Sequence, residues 1–153
     1  AMMGEANPQI TPLMPVLASP LLSLHVCIIM VAYALLAFIL LNALTALMLN
    51  GRKHEHQVAL LTRMSHLMLY PAAGIFIGAI WANQSWGRYW GWDPKEVWAL
   101  ITLLVYSIPL HRQSLDWLRR PRWFHLYMVF AFLSILMTYF GVNFFLGGMH
   151  SYA

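Results

Sequence analysis

Residues 21–49 read LLSLHVCIIMVAYALLAFILLNALTALML and contain no Asp, Glu, Lys or Arg. A helix that crosses the hydrocarbon core needs about 20 predominantly apolar residues, and this run exceeds that length. The composition agrees, because a chain of 153 residues with 61% apolar and 9% charged residues does not suit a soluble globular domain. The expected class is an all-α membrane protein. Three further apolar runs follow, at about 58–82, 94–111 and 123–146, so the length accommodates four transmembrane helices with short connections. Pro71 and Gly74 are expected to bend the second, which is tolerated where neighbouring helices cover the freed backbone groups. Residues 1–20, rich in proline and polar residues, read as an external N-terminal segment without a signal peptide. Residues 21–153 read as one four-span domain.

The basic residues supply the orientation. Arg52, Lys53, Arg63, Arg112, Arg119, Arg120 and Arg122 lie in or beside the first and third connections, whereas the second holds only Arg88 and Lys95. The positive-inside rule puts the two basic connections in the cytoplasm, leaving both termini and the second connection outside. The formal charge of +4 thus reflects topology, and no nucleic-acid partner is expected. The single cysteine, Cys27, has no disulfide partner and no neighbouring metal ligands, and it reads as a small core residue. His25 falls near the outer end of the first span and His150 just beyond the outer end of the fourth, after Gly147 and Gly148. His66, His111 and His125 fall near inner ends, while His54 and His56 read as solvated loop residues.

The outer connection is WGRYWGWDPKEVW, residues 86–98. Its last part has a structural explanation: Asp93 as N-cap, Pro94 at the first helical position and Glu96 at the third give a proline-initiated helix with a capping box. An interfacial belt accounts for Trp81, Trp117 and Trp123. It accounts poorly for Trp86, Tyr89, Trp90 and Trp92 crowded around Gly87 and Gly91, an arrangement that offers flat apolar faces with little backbone bulk and suits a flat apolar ligand. Ionisable residues at membrane positions are functional candidates by default. Two histidines meeting above this loop would supply both axial nitrogens to a haem iron. Zinc would require further ligands; Asp93 is one candidate, but that reading leaves the aromatic loop without a purpose.

WGRYWGWDPKEVWALITLLVYSIPLHR resembles the tryptophan-rich WWD signature of haem-handling proteins, in particular the CcsA/ResC family of cytochrome c synthesis system II, and LMPVLASPLLSLHV and VNFFLGGMHSYA resemble the segments carrying that family's external histidines. The resemblance runs from about Thr11 to Ala153. It implies that His25 and His150 are axial ligands to an external haem b, and that Trp86, Gly87, Tyr89, Trp90, Trp92, Asp93, Pro94 and Glu96 receive the haem. His25, His150, Trp90, Trp92 and Asp93 would then carry catalysis. His111 matches a ligand to a second haem within the membrane, whose partner lies in earlier spans that this chain lacks; His66 and His125 are substitutes at comparable depth. By the same resemblance the chain is a C-terminal core.

The implied activity is that of a cytochrome c haem lyase of the bacterial inner (cytoplasmic) membrane. It would present haem to the CXXCH segment of apocytochrome c, whose two thiols form thioethers with the haem vinyl groups. Implied partners are a CcsB/ResB-like membrane subunit and a thioredoxin-like reductant. Such an enzyme acts by positioning and protecting a reactive group rather than by a covalent nucleophile. The rival readings are a haem exporter or chaperone-loading module without ligation activity, and a structural subunit whose tryptophans are only a belt.

Overall fold

The computed structural model of the protein describes residues 20–49, 52–69 and 90–145, and all regular structure among them is helical. The elements are α1 (Pro20–Met48), a 3-10 turn at Arg52–His54, α2 (Glu55–Leu67), α3 (Pro94–Ser107) with a 3-10 extension at Ile108–His111, α4 (Asp116–Arg119), α5 (Pro121–Leu136), a π turn (Met137–Gly141) and α6 (Val142–Phe145). Among the described residues, two stretches are long and apolar enough to cross a membrane, Leu22–Met48 and the continuous Pro121–Phe145. At 1.5 Å per residue, the 29 residues of α1 extend about 44 Å, well beyond a hydrocarbon core of about 30 Å.

The bundle is organised by a seam between α1 and α5. On α1 the buried apolar residues are Ala32, Leu36, Ile39, Ala43 and Ala46, spaced alternately by four and three. On α5 and its continuation, where His125, Ser134 and Gly141 are buried beside it, a row with the same alternation runs through Phe124, Met128, Ala131, Ile135, Thr138 and Val142. A 3.5-residue repeat on both helices is the pattern of a knobs-into-holes contact. The alanines allow close backbone approach, which is how helices associate where lipid is as apolar as the helix. Leu24, Met30, Val31, Phe38 and Leu41 lie off the seam and are exposed, as suits residues facing hydrocarbon. Cys27 is exposed as well, which corrects the expectation of a core thiol: its register turns it away from the seam.

Proline chemistry sets the helix ends. Within the second apolar run, α2 starts at Glu55 and stops at Leu67, followed by a turn in which Met68 N–H donates to the Met64 carbonyl and Leu69 N–H to that of His66. Of the helix expected through 58–82, the described residues show the part up to Leu67 and the turn after it; Pro71 and Gly74, expected to bend it, lie outside the described residues. Proline has no N–H and its ring collides with the carbonyl four residues back, which for Pro71 is that of Leu67. Pro109 has the same effect in the third run, where the α-helix gives way to the tighter 3-10 turn after Ser107. The carbonyl four residues before it, that of Val105, accepts from the Tyr127 hydroxyl of α5 at 2.8 Å. Buried polar pairs join the other helices: Asn42 Nδ2 donates to Ser65 Oγ at 3.4 Å, and Thr102 Oγ1 lies 2.9 Å from Thr138 Oγ1. Interhelical bonds of this type contribute about 0.6 kcal/mol each in membranes.

Candidate functional site

At the start of α3 the capping arrangement expected from WDPKE is present. Asp93, only 6% exposed, is the N-cap; its carboxylate accepts from Lys95 N–H at 3.2 Å and from the N3 backbone, and Pro94 opens the helix. The Glu96 carboxylate turns back to accept from Gly91 N–H at 2.7 Å and from Asp93 N–H at 3.3 Å. Both carboxylates are therefore engaged with the backbone of the loop they terminate. They hold Gly91, Trp92 and Asp93 against the first turn of α3.

That anchoring has a consequence for Trp92. Its backbone φ is 56°, the positive value of a left-handed conformation, which costs a bulky side chain roughly 1–3 kcal/mol. Its indole is 72% exposed and meets the half-buried Trp90 edge-on, with ring centroids 6.1 Å apart and planes at 84°. A large apolar side chain is thus held in a strained conformation outside the core, supported by a buried polar cap. Strain of this kind persists only where surrounding structure enforces it, and it clusters at ligand sites.

His25 is half-buried in the second turn of α1. Counting back from Ala32 by three and then by four along the seam register gives Ile29 and His25, so His25 lies on the extension of the face that packs against α5. Trp86, Gly87, Tyr89 and His150 fall outside the described residues. The described part of the set fits an iron-centred flat ligand: an imidazole on the bundle-facing side of α1, and an exposed indole braced for face or edge contact.

The other end of the bundle is organised differently. His125 is buried, its Nε2 2.8 Å from Thr62 Oγ1, and its ring meets Phe124 edge-on. His66 Nε2 lies 3.3 Å from the Leu110 carbonyl. His111 is exposed, with Nδ1 3.0 Å from the Ser107 carbonyl; that bond makes Nδ1 the donor and leaves Nε2 as the nitrogen with a lone pair for a metal. Arg112 stacks its guanidinium over Phe124 at 5.0 Å, and burial there lowers its pKa from the ordinary value.

Comparison with known proteins identifies the group to which this architecture belongs. Residues 1–150 match the family described as cytochrome C assembly protein. The chain belongs to that family. Among relatives of this cytochrome c assembly protein, NrfI of Wolinella succinogenes is 42% identical over 164 residues, covering 100% of this chain and 18% of its own length. The cytochrome c biogenesis protein CcsA of Chlamydomonas reinhardtii is 36% identical, covering 94% of this chain and 44% of its own length. CcsA of a Synechococcus strain is also 36% identical, covering 92% of this chain and 57% of its own length. The assembly protein therefore spans between about a fifth and somewhat over half of the relatives it matches.

Several residues of this assembly protein escaped the sequence reading. Lys95 Nζ donates to Asn143 Oδ1 at 3.1 Å, joining the first turn of α3 to α6. Thr138, in the π turn, donates to the Trp98 carbonyl at 3.1 Å as well as pairing with Thr102. The available signal was a single amide, Asn143, and a threonine hydroxyl inside a largely apolar span, positions where polar groups are costly unless used.

Proposed function

We propose that this chain is the haem-handling core of a cytochrome c haem lyase in a bacterial inner membrane, with residues 21–153 forming a four-span domain whose tryptophan-rich loop and termini lie outside. The observation that carries the reading is Trp92, strained and exposed on a buried carboxylate cap in a family of cytochrome c assembly proteins. His25 and His150 are assigned as the axial ligands of haem b and Trp86, Gly87, Tyr89, Trp90 and Trp92 as the surface that receives it. Haem, as substrate, supplies the vinyl groups to which the thiols of an apocytochrome CXXCH segment add.

The protein's own residues act by placement. The imidazoles of His25 and His150, in neutral form, would hold the haem, and the indole wall would limit water at the reacting edge. Asp93 and Glu96 keep that wall in place through the backbone, and Pro94 starts the helix on which it stands. His111 offers Nε2 at the inner end to a second haem, its second ligand coming from a CcsB/ResB-like subunit or an earlier span. The substrate thiols are kept reduced by a thioredoxin-like partner, because Cys27 has no second cysteine with which to exchange.

The decisive experiment is co-expression with the remaining spans of the synthase and an apocytochrome c reporter, followed by acid-acetone extraction. Haem that survives extraction on the reporter, and is lost in His25→Ala and His150→Ala, supports a lyase. Haem that binds the chain but never becomes covalent supports the exporter or chaperone-loading reading instead. Normal maturation without both histidines would overturn the ligand assignment.

A further inference from the structure

The connection between α3 and α5 carries Arg112, Arg119, Arg120 and Arg122, and the four are not equivalent. Arg119 is committed to its own loop: its Nε and one terminal nitrogen donate to the Gln113 carbonyl at 2.9 and 2.6 Å, and the other meets the Asp116 carboxylate at 3.3 Å. Arg120 and Arg122 are exposed, so water solvates them. Arg112 is half-buried, with its guanidinium over the Phe124 ring at 5.0 Å. Its Nε is enclosed and has no hydrogen-bond partner among the described residues, and a terminal nitrogen reaches the Arg119 carbonyl only at 3.5 Å.

Withdrawing a guanidinium from water is costly unless a counter-charge goes with it. Among the described residues no carboxylate reaches Arg112, and its buried neighbour His125 supplies no charge either. Thr62 Oγ1 gives its single hydrogen to the Val58 carbonyl at 2.7 Å, so His125 Nε2, 2.8 Å away, is the donor to that oxygen. The other nitrogen, Nδ1, is buried and has no partner among the described residues, so a proton placed there would find no acceptor. The ring therefore stands within electrostatic reach of Arg112 as a neutral group. What the site lacks is an anion.

The surroundings say which anion. Trp117 and Trp123 flank the Arg119–Arg122 run and are exposed, and indoles favour the headgroup zone of a bilayer. From Trp123 an exposed apolar stripe continues along α5 through Leu126, Phe130 and Leu133, at helical spacings of three, four and three. A cation at headgroup depth beside an apolar stripe matches a molecule with a phosphate at one end and an acyl chain below it, and the guanidinium fork suits phosphate oxygens. We propose that Arg112, seated on Phe124, binds the phosphate group of an anionic membrane lipid whose acyl chain lies along the Trp123–Leu133 stripe. Basic sites between membrane helices take headgroups in this way. The lipid supplies the missing counter-charge where the end of α3 meets the start of α5, and it does so independently of the haem assignment.

The test places the full chain in phosphatidylcholine nanodiscs and titrates spin-labelled phosphatidylglycerol, reading the immobilised fraction of the label. Arg112→Gln weakens binding about thirtyfold, the loss of a hydrogen bond between charged groups. Arg120→Gln and Arg122→Gln each weaken it only about fivefold, the effect of any basic residue near an anionic surface. Equal losses at all three positions would show general attraction and overturn the proposal. Inorganic phosphate added at constant ionic strength leaves the label in place; displacement would make a free anion the occupant and overturn the lipid assignment. Should Arg112→Gln fail to insert, the native chain decides alone: its unfolding midpoint rises with phosphatidylglycerol and not with an equal charge of oleate, which has no phosphate. An equal rise with both, or none with either, would overturn the proposal.

Discussion

The two ends of this bundle use their polar residues in opposite ways. Around α2 and the start of α5 histidines are drawn inward: His125 is buried on Thr62, and His66 meets the Leu110 carbonyl. At the start of α3 the polar side chains are spent on backbone, and what they leave exposed is aromatic: Asp93 and Glu96 secure the loop while Trp92 stands 72% exposed. An imidazole already bonded inside a packed seam serves stability, and an indole kept out of the core at a conformational cost is available for a ligand. The contrast also separates the histidines from one another. His125 belongs to the packing, and His111, exposed with Nδ1 on a carbonyl, has the geometry of a ligand.

The contrast can be broken most severely at His25. His25→Ala is expected to reduce cytochrome c maturation to background in the co-expression assay while leaving insertion and thermal unfolding nearly unchanged; a matured reporter would place the function elsewhere. His125→Ala is expected to do the reverse, lowering stability by about 2–3 kcal/mol through a cavity and the lost bond to Thr62, read as a fall in the unfolding midpoint with haem retention intact. A Thr62→Val and His125→Leu double-mutant cycle should return a coupling of about 0.6–1.7 kcal/mol.

Smaller effects are expected at the cap. Asp93→Ala should cost about 1–2 kcal/mol of helix capping and lower haem affinity, since Trp92 loses its support; a stability loss with unchanged affinity would show that the platform does not depend on the cap. The smallest effect is the most diagnostic. Trp92→Gly relieves the positive φ and should raise stability by about 1 kcal/mol while haem retention falls. If both rise together, the strain has no functional purpose.

Much of this was legible in the chain itself, for identifiable reasons. Residues 21–49 announce a span because apolar length is a one-dimensional property, and the Asp93, Pro94 and Glu96 cap was legible because its partners lie within three residues. Where α2 ends, at Leu67, was less legible, because a proline in an apolar run is compatible with both a bend and a stop. Cys27 was taken for core because an apolar run does not reveal which face is inside; only the register of Ala32, Leu36 and Ile39 does. The Lys95–Asn143 pair joins residues 48 positions apart, and nothing local to either residue reports that.

The α1–α5 seam also has a consequence in time. During synthesis α1 is complete at Met48, but its partner helix starts only at Pro121. At 5–20 residues per second, α1 spends about 4–15 s in the bilayer before the other half of its seam is made. Ala32, Ala43 and Ala46 present little that lipid cannot accommodate in the interval, and Asn42 finds Ser65 as soon as α2 is made. A seam of bulkier or more polar residues would give α1 more reason to associate with whatever other helix is nearest, so the small residues that allow α5 to approach late also keep α1 uncommitted until it arrives.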